Sequence, residues 1–501
     1  MRHFISELNE HHEGLVTLSG FLQEKRQTKH ALFLELWEST GQCQLVLAGE
    51  MMEQASQIPR QSALTITGRV VPRKNPHPNL AHYPTGLWEV QVTEMNFVNP
   101  CERTPLLARE NSSEEQLLAE RFTSLRFKET QEALRKRHEV IRAMRHVLEN
   151  ERFVEIETPV LVRNTPGGAH PFLVPHAERH YALAQSPQLW KQMLVCGGFE
   201  RYYQLAHCFR NEGARAERQP EFSQFEIEMA FVSREEVICY MEKCFRAAWG
   251  VFEEPKAIPR LTYFEAMQEF GTEKPNFNAA ERLLGPLATP KTRFEEAEVC
   301  LEIKRSLAER FFAKTTPEKH VEVFFEKNQV IAKGPLESAQ KTLGKILSLW
   351  AREGEQKILP SIVTEMPMFE RGEFGEWVAA HHPFTRPLLA EQFLAGQHEE
   401  VMSNSFDLIV NGYEIGGGSM RIHEEHLQRQ MFSKLKMSER ETEEHFGFLL
   451  RALLTGAPPH GGWAFGVERL LMVLLGRERI TEVMAFPKTV SGQCPLTGAL
   501  S

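Results

Sequence analysis

Residues 209–224 read FRNEGARAERQPEFSQ, and the fold turns on this stretch. Apolar strands are expected at 202–209 and 222–231, so the segment between them is a polar, arginine-rich loop at a hairpin mouth. Arg210, Glu212, Gln219 and Phe222 cluster there. A buried arginine facing a carboxylate is often only a structural ion pair. An arginine, an acid, an amide and an aromatic together point instead to a nucleotide site that lacks a phosphate loop. The chain contains neither Gly-x-x-x-x-Gly-Lys-Ser/Thr nor a Gly-x-Gly-x-x-Gly that follows a strand.

Working outward, two more segments carry chemistry. Asp407 and Glu414 stand seven residues apart in an apolar strand segment expected at 405–414. Converging carboxylates suit Mg²⁺, which takes one or two of them plus substrate phosphates. Spacing alone favours two separate, salt-bridged acids. The run Gly461–Met472 reads as a strand, a glycine turn and an apolar helix that carries Arg469 in its first turn. A cation there opposes the helix dipole unless it meets an anion such as phosphate. Gly416-Gly417-Gly418-Ser419 is expected to be a close-packing segment. His423 and His426, in HEEH, lack the His-Glu-x-x-His spacing of a zinc site and are expected on a solvated helix face.

Toward the N-terminus, 15–22, 31–38, 42–47, 63–71 and 88–98 read as five short strands, which suggests a small barrel such as an OB-fold. In residues 31–37 alternation places Leu32, Leu34 and Leu36 on one face and Phe33, Glu35 and Trp37 on the other. The second face is either incidental or a stacking platform for unpaired bases. A charged segment, 102–130, reads as a hinge. A basic amphipathic helix follows at 131–149, then a strand at 153–157. Residues 276–345 show little strong patterning and read as an insertion.

The 501 residues are 42% hydrophobic and 25% charged, with net charge −9. Those values fit a soluble protein of two or three domains and argue against a sequence-blind polyanion binder. No apolar run approaches the ~18 residues a membrane span needs. The first 14 residues lack a signal peptide's apolar core. Eight cysteines without a Cys-x-x-Cys pair fit a reducing cytoplasm.

Taken together, these segments resemble the three motifs of class II aminoacyl-tRNA synthetases, at Arg142–Pro159, Phe209–Glu228 and Gly461–Met472. Further stretches sharpen the resemblance to the bacterial aspartyl-tRNA synthetases of subclass b. They are QSPQLWKQ at 185–192, VAAHHPF at 378–384, NGYEIGGGSMRIH at 411–423, GAPPHGG at 456–462 and AFPKT at 485–489. The resemblance implies an α+β protein, with an antiparallel-sheet catalytic domain behind an N-terminal OB-fold barrel. It divides the chain into an anticodon-binding barrel at 1–104, a hinge at 105–130 and a catalytic domain at 131–501 with a shortened insertion. It implies a homodimer built around the first motif, and ATP, L-aspartate, Mg²⁺ and tRNA as substrates and partners. Whether asparagine-accepting tRNA also serves stays open. The reaction it implies is aspartate–tRNA ligation through aspartyl-adenylate.

The resemblance also assigns roles. Arg210 faces the α-phosphate and the substrate carboxylate, where a planar, permanently charged guanidinium suits both. Glu212, Gln219, Phe222, Glu414, Gly466, Val467, Glu468 and Arg469 bind ATP, with Phe222 and Arg469 on opposite faces of adenine. Asp407 and Glu414 hold the metal. Ser186, Gln188, Lys191, Arg210, Gln224, His381 and Arg421 bind aspartate. Two cations, Lys191 and Arg421, select its carboxylate over a neutral amide, because an amide leaves charges unpaired. Phe33 and Gln44 read the anticodon.

Several positions depart from the family pattern. Gly167 stands where a glutamate greets the substrate's amino group. Glu226 and Glu468 each replace an aspartate, and Trp37 replaces an arginine. The loop Gln23–Arg26 carries an acid, and the hinge lacks the family's Leu-Asp-Leu-Arg-Arg. These changes keep two alternatives in view. One is an aspartate-activating paralogue with another acceptor, and the other is a non-catalytic RNA-binding regulator.

Overall fold

The computed structural model describes residues 2–8, 15–78, 84–102, 112–166, 169–213, 215–278, 296–302, 305–326, 329–352, 356–372, 376–396 and 401–500. Gly167 lies outside them. The chain divides into two compact units, Met1–Ser113 and Glu114–Ser501.

The first unit is a closed barrel of β1 (Leu15–Gln27), β2 (Leu32–Glu38), β3 (Gly41–Leu47), β4 (Ala63–Pro72) and β5 (Trp88–Asn99), in the order β1-β2-β3-β5-β4. The period-2 pattern of β2 sets its orientation. Leu32, Leu34 and Leu36 are buried in the barrel core, while Phe33, Glu35 and Trp37 stay partly exposed. Trp37 stacks on Phe21, with ring centroids 6.0 Å apart.

The second unit is built on an eight-stranded sheet. Its strands are β6 (Val154–Glu155), β7 (Arg201–Phe209), β8 (Glu221–Ala230), β9 (Arg260–Thr262), β10 (Pro360–Thr364), β11 (Ser405–Val410), β12 (Tyr413–Met420) and β13 (His460–Gly466). Their order is β9-β10-β11-β12-β13-β8-β7-β6. The six central strands pair antiparallel, and only the edge pairs β9–β10 and β6–β7 are parallel. Helices α1 (Lys128–Asn150), α3 (Arg234–Trp249) and α5 (Val467–Leu474) contribute apolar residues to the main core. On β8, Phe225, Ile227 and Met229 enter that core, and the alternate residues Gln224, Glu226 and Glu228 face the other way. The strand expected to be apolar throughout is therefore polar on one side.

One expectation is corrected. The segment 405–414 is not one strand but a hairpin whose two-residue turn is Asn411-Gly412, at φ 52° and 79°. Both turn residues are left-handed, which Asn-Gly accepts readily. Described residues in and beside the segment read as an insertion form a small layer of their own. Glu296–Glu302, Gln329–Pro335 and Glu322–Glu326 form a three-stranded sheet that carries α4 (Leu336–Ala351) and its own core of Val299, Leu301, Phe311, Val330 and Leu343. Of the segment expected as a hinge, Glu114–Ala119 and Arg121–Ser124 are helical parts of the second unit. Arg121 fastens them by donating to the backbone oxygens of Met484 and Ala485 at 2.7 Å.

Candidate active site

The polar face of the sheet floors a cavity of about 410 Å³. Of the catalytic-domain residues singled out in the sequence, Ser186, Gln188, Lys191, Arg210, Glu212, Gln219, Phe222, Gln224, His381, Asp407, Glu414, Arg421, Gly466, Glu468 and Arg469 all line it. Val467 does not. It is fully buried in the main core at the start of α5.

At one end lies a buried quartet of charges. Helix α2 (Gln188–Cys196) places Gln188 and Lys191 three residues apart, hence on one face. The Lys191 ammonium sits 3.2 Å from Glu226 and 3.3 Å from Glu228. Arg421 directly follows β12 and donates to both Glu228 oxygens, from Nε at 2.9 Å and from Nη2 at 3.2 Å. It also donates to His382 Nε2 at 2.7 Å, Ser419 Oγ at 2.6 Å and the Gly462 carbonyl at 3.2 Å. The two cations expected to meet a substrate carboxylate are thus matched by two acids. Burying them unmatched carries a desolvation cost too large to leave uncompensated. Lys191 has three N–H groups and two acid partners, so one donor remains for a ligand. Burial pushes Glu226 above its ordinary value despite Lys191, and its buried Oε1 has no hydrogen-bond partner among the described residues. Burial also raises Glu228, but Arg421 and Lys191 outweigh it and hold that carboxyl below its ordinary value.

The loop after β7 carries Arg210, whose guanidinium lies over the Phe222 ring at 5.1 Å. That is a cation–π contact on a face of the ring expected to stack on adenine. Glu212 pairs with Arg218 at 3.0 Å. Gln219 is held through both amide atoms by the backbone of Lys488. Glu468 accepts from the Ser223 N–H at 3.0 Å and pairs with Arg137 of α1 at 2.8 Å, so it ties α1 and β8 together beneath the cavity. Arg469 donates to the backbone oxygen of Glu414 at 2.7 Å, and its buried Nε has no partner among the described residues. Gln224 accepts from Cys208, and His381 bonds Ser405 at 3.0 Å.

The hairpin brings Asp407 and Glu414 to the same wall. Burial, with Glu414 adding to it, pushes Asp407 well above the carboxylate range. Burial also raises Glu414, but Lys274 at 3.0 Å more than offsets it and holds Glu414 below its ordinary value. Among the described residues no group of three or more histidine, cysteine or acid side chains forms a metal cage. Two adjacent acids that repel each other nevertheless fit a hard divalent cation that takes its other ligands from phosphates and water. The floor beneath them needs glycine, because a Cβ on Gly417 would collide with the Asp407 carboxylate.

Three participants, Glu228, His382 and Lys274, were missed in the sequence, and Glu226 was noted only as a departure from the family pattern. The alternation Gln224-Phe-Glu226-Ile-Glu228 signalled an acid face on a buried strand. His382 sits beside His381 in the quoted VAAHHPF. Lys274 lies far from Glu414 in the chain, and no local pattern marks it.

In the barrel unit, a separate cavity of about 300 Å³ is lined by Arg26, Phe33, Glu35, Gln44, Arg73 and His77, among others. Arg26 lies over the Phe33 ring at 5.0 Å. Gln44 accepts from Arg73 at 2.7 Å and donates to Glu89 at 2.6 Å.

Residues 113–490 match the family model described as tRNA synthetases class II (D, K and N), and residues 16–98 match that of the OB-fold nucleic acid binding domain. The chain belongs to the class II tRNA synthetase family. Its curated relatives include the aspartate–tRNA(Asp/Asn) ligase of Bacillus cereus (strain AH187), 35% identical over 97% of this chain and 93% of that protein. The aspartate–tRNA ligase of Macrococcus caseolyticus is 34% identical with the same coverage. Among solved structures, Entamoeba histolytica asparaginyl-tRNA synthetase with asparaginyl-adenylate superposes with TM-score 0.69 at 21% identity, covering 98% of both chains. The fold is therefore that of a class II synthetase with an N-terminal OB barrel.

Proposed function

We propose that this synthetase activates L-aspartate with ATP and transfers the aspartyl group to tRNA. The observation that carries the proposal is the convergence, in one cavity, of the Lys191–Arg421 end with Arg210, Arg469 and the Asp407–Glu414 pair. The aspartate–tRNA ligases that match nearly the whole chain support the choice of amino acid and of acceptor.

In this mechanism Lys191 offers its remaining N–H to the aspartate side chain, and Arg421 exchanges its His382 or Ser419 bond for the same carboxylate. Gln188, Ser186, Gln224 and His381 orient the amino acid. Its α-carboxylate attacks the α-phosphorus of ATP, and the bond to pyrophosphate breaks. Arg210 neutralises charge developing on the α-phosphate, so the step is driven by positioning and electrostatics. Glu212, Gln219, Phe222, Gly466 and Arg469 seat the nucleotide. Glu468 acts behind them, through Ser223 and Arg137. Asp407 and Glu414 would hold Mg²⁺, which would supply positive charge against the polyphosphate. A ribose hydroxyl at the tRNA 3′ end then attacks the acyl carbon and releases AMP. Phe33 stacks on an anticodon base and Gln44 reads one.

We further infer a homodimer, supported by the exposed apolar side chains of Val154, Val160, Leu161 and Leu173 around the first motif. A cytoplasmic setting is supported by eight unbridged cysteines. No helix among the described residues is long and apolar enough to cross a membrane.

The test is aspartate-dependent ATP–pyrophosphate exchange, with asparagine and lysine as controls, followed by charging of purified aspartate and asparagine tRNAs. Exchange with aspartate alone and charging of the aspartate tRNA are expected. No exchange with any amino acid overturns the proposal. Charging of the asparagine tRNA as well would extend it to the Asp/Asn range named for the Bacillus relative.

A further inference from the structure

Lys274 lies on neither the hairpin nor the helix that carries the nucleotide-binding residues. It is held in place from three sides. Gly271, left-handed at φ 64°, ends the helix Tyr263–Phe270, and the backbone then turns toward the site. Helix α4 of the inserted unit packs on that turn, where a Cβ on Gly344 would collide with the Gly271 carbonyl. Beyond the lysine, Asn278 donates to Asn411 at 3.1 Å and to the Lys357 carbonyl at 3.2 Å. Asn411 is the turn residue between the strands of Asp407 and Glu414. The lysine and the two acids therefore sit on segments that are fastened to one another, and the 3.0 Å Lys274–Glu414 pair is built in.

We propose that Lys274 is a positioning residue that makes the acid pair disfavour a bare divalent cation and accept one that arrives with polyphosphate. This rests on the metal-binding role proposed above for Asp407 and Glu414. The argument is a count of charges. The ammonium, 3.0 Å from Glu414, cancels that carboxylate's charge, on which a bare cation depends. It also occupies a Glu414 oxygen. The same ammonium attracts a nucleotide polyphosphate that carries its own negative charge. One added positive charge thus acts with opposite sign on the two ligands. A lysine serving only to hold Glu414 in place would weaken both when removed.

The experiment compares wild type, Lys274→Met and Lys274→Arg without amino acid or tRNA. Mn²⁺ alone is titrated by electron paramagnetic resonance. Binding of the Mg²⁺ complex of a non-hydrolysable α,β-methylene ATP is measured by calorimetry. Lys274→Met is expected to bind Mn²⁺ about tenfold tighter and the magnesium–nucleotide complex about tenfold weaker, with Lys274→Arg near wild type. Lys274→Gln repeats the comparison if the methionine variant melts early. Shifts of the same sign, or no shift in either, overturn the proposal. Wild-type exchange with aspartate reports separately on the functional reading, so the two failures are distinguishable.

Discussion

The two ends of the catalytic cavity handle charge differently. Where the amino acid is proposed to sit, Lys191, Glu226, Glu228 and Arg421 are each at most 3% exposed, and every charge has a partner within 3.3 Å. Where the nucleotide is proposed to sit, Glu212, Arg218 and Glu414 are 34–46% exposed, and Arg210 rests on a ring with no acid partner among the described residues. The first end is preorganised, so a ligand enters by exchanging bonds that already exist. The second is open, and a highly charged ligand brings its own counter-charges. Selectivity belongs to the dry, matched end, where an unpaired group is costly. Affinity for polyphosphate is proposed for the more exposed end, whose cations Arg210, Arg218 and Arg469 line the same cavity.

Removing one member of the matched end should have the largest effect on the fold. Arg421→Leu strands Glu228 without its main partner and should cost about 3–5 kcal/mol of stability, read from a denaturant midpoint. If it unfolds like wild type, the quartet is not the tightly coupled unit described. Arg210→Ala tests the open end. Exchange should fall about 10²–10³-fold while stability stays within about 0.5 kcal/mol of wild type. A large stability loss would erase the contrast between the ends. Phe33→Ala, in the barrel, should leave tRNA-independent exchange unchanged and weaken tRNA binding by about 1–3 kcal/mol. A change in exchange would show that the barrel aromatic serves the catalytic unit.

The smallest effect concerns pH. Glu226 is raised, so the folded protein binds its proton more tightly than the unfolded chain, and its cost to folding shrinks as pH falls through that raised value. Glu228 is lowered, so its contribution is present above the unfolded carboxylate value and is lost as pH falls through its own lower one. Between these windows the quartet holds one extra proton and one more net positive charge. The aspartate KM should drop a few-fold as pH is lowered into that interval, and Glu226→Gln should flatten the profile. A KM that rises instead would place the titration elsewhere.

The barrel was legible because β2 alternates leucine with Phe33, Glu35 and Trp37, and the period alone orients the strand. The catalytic cavity was legible because its residues cluster in a few long motifs. The hairpin at Asn411-Gly412 could have been read from that dipeptide, but the apolar flanks on both sides gave the appearance of one strand. The inserted unit was not legible. Its strands are short and edged with Glu and Lys, so the inward Val299, Leu301 and Val330 stand out only once paired. The matching of Lys191 and Arg421 by Glu226 and Glu228 arises between strands and a helix far apart in the chain. Only the strand's alternation hinted at it.

The glycine run on β12 limits how this enzyme can be altered. A side chain on Gly416 or Gly418 would collide with the backbone of β13, and one on Gly417 would collide with Asp407. A saturation library at these three glycines should therefore return almost nothing active. A change of amino-acid specificity, in the laboratory or by descent, therefore has to draw on other lining side chains such as Gln188, Gln224 and His381, because the three glycines admit no side chain.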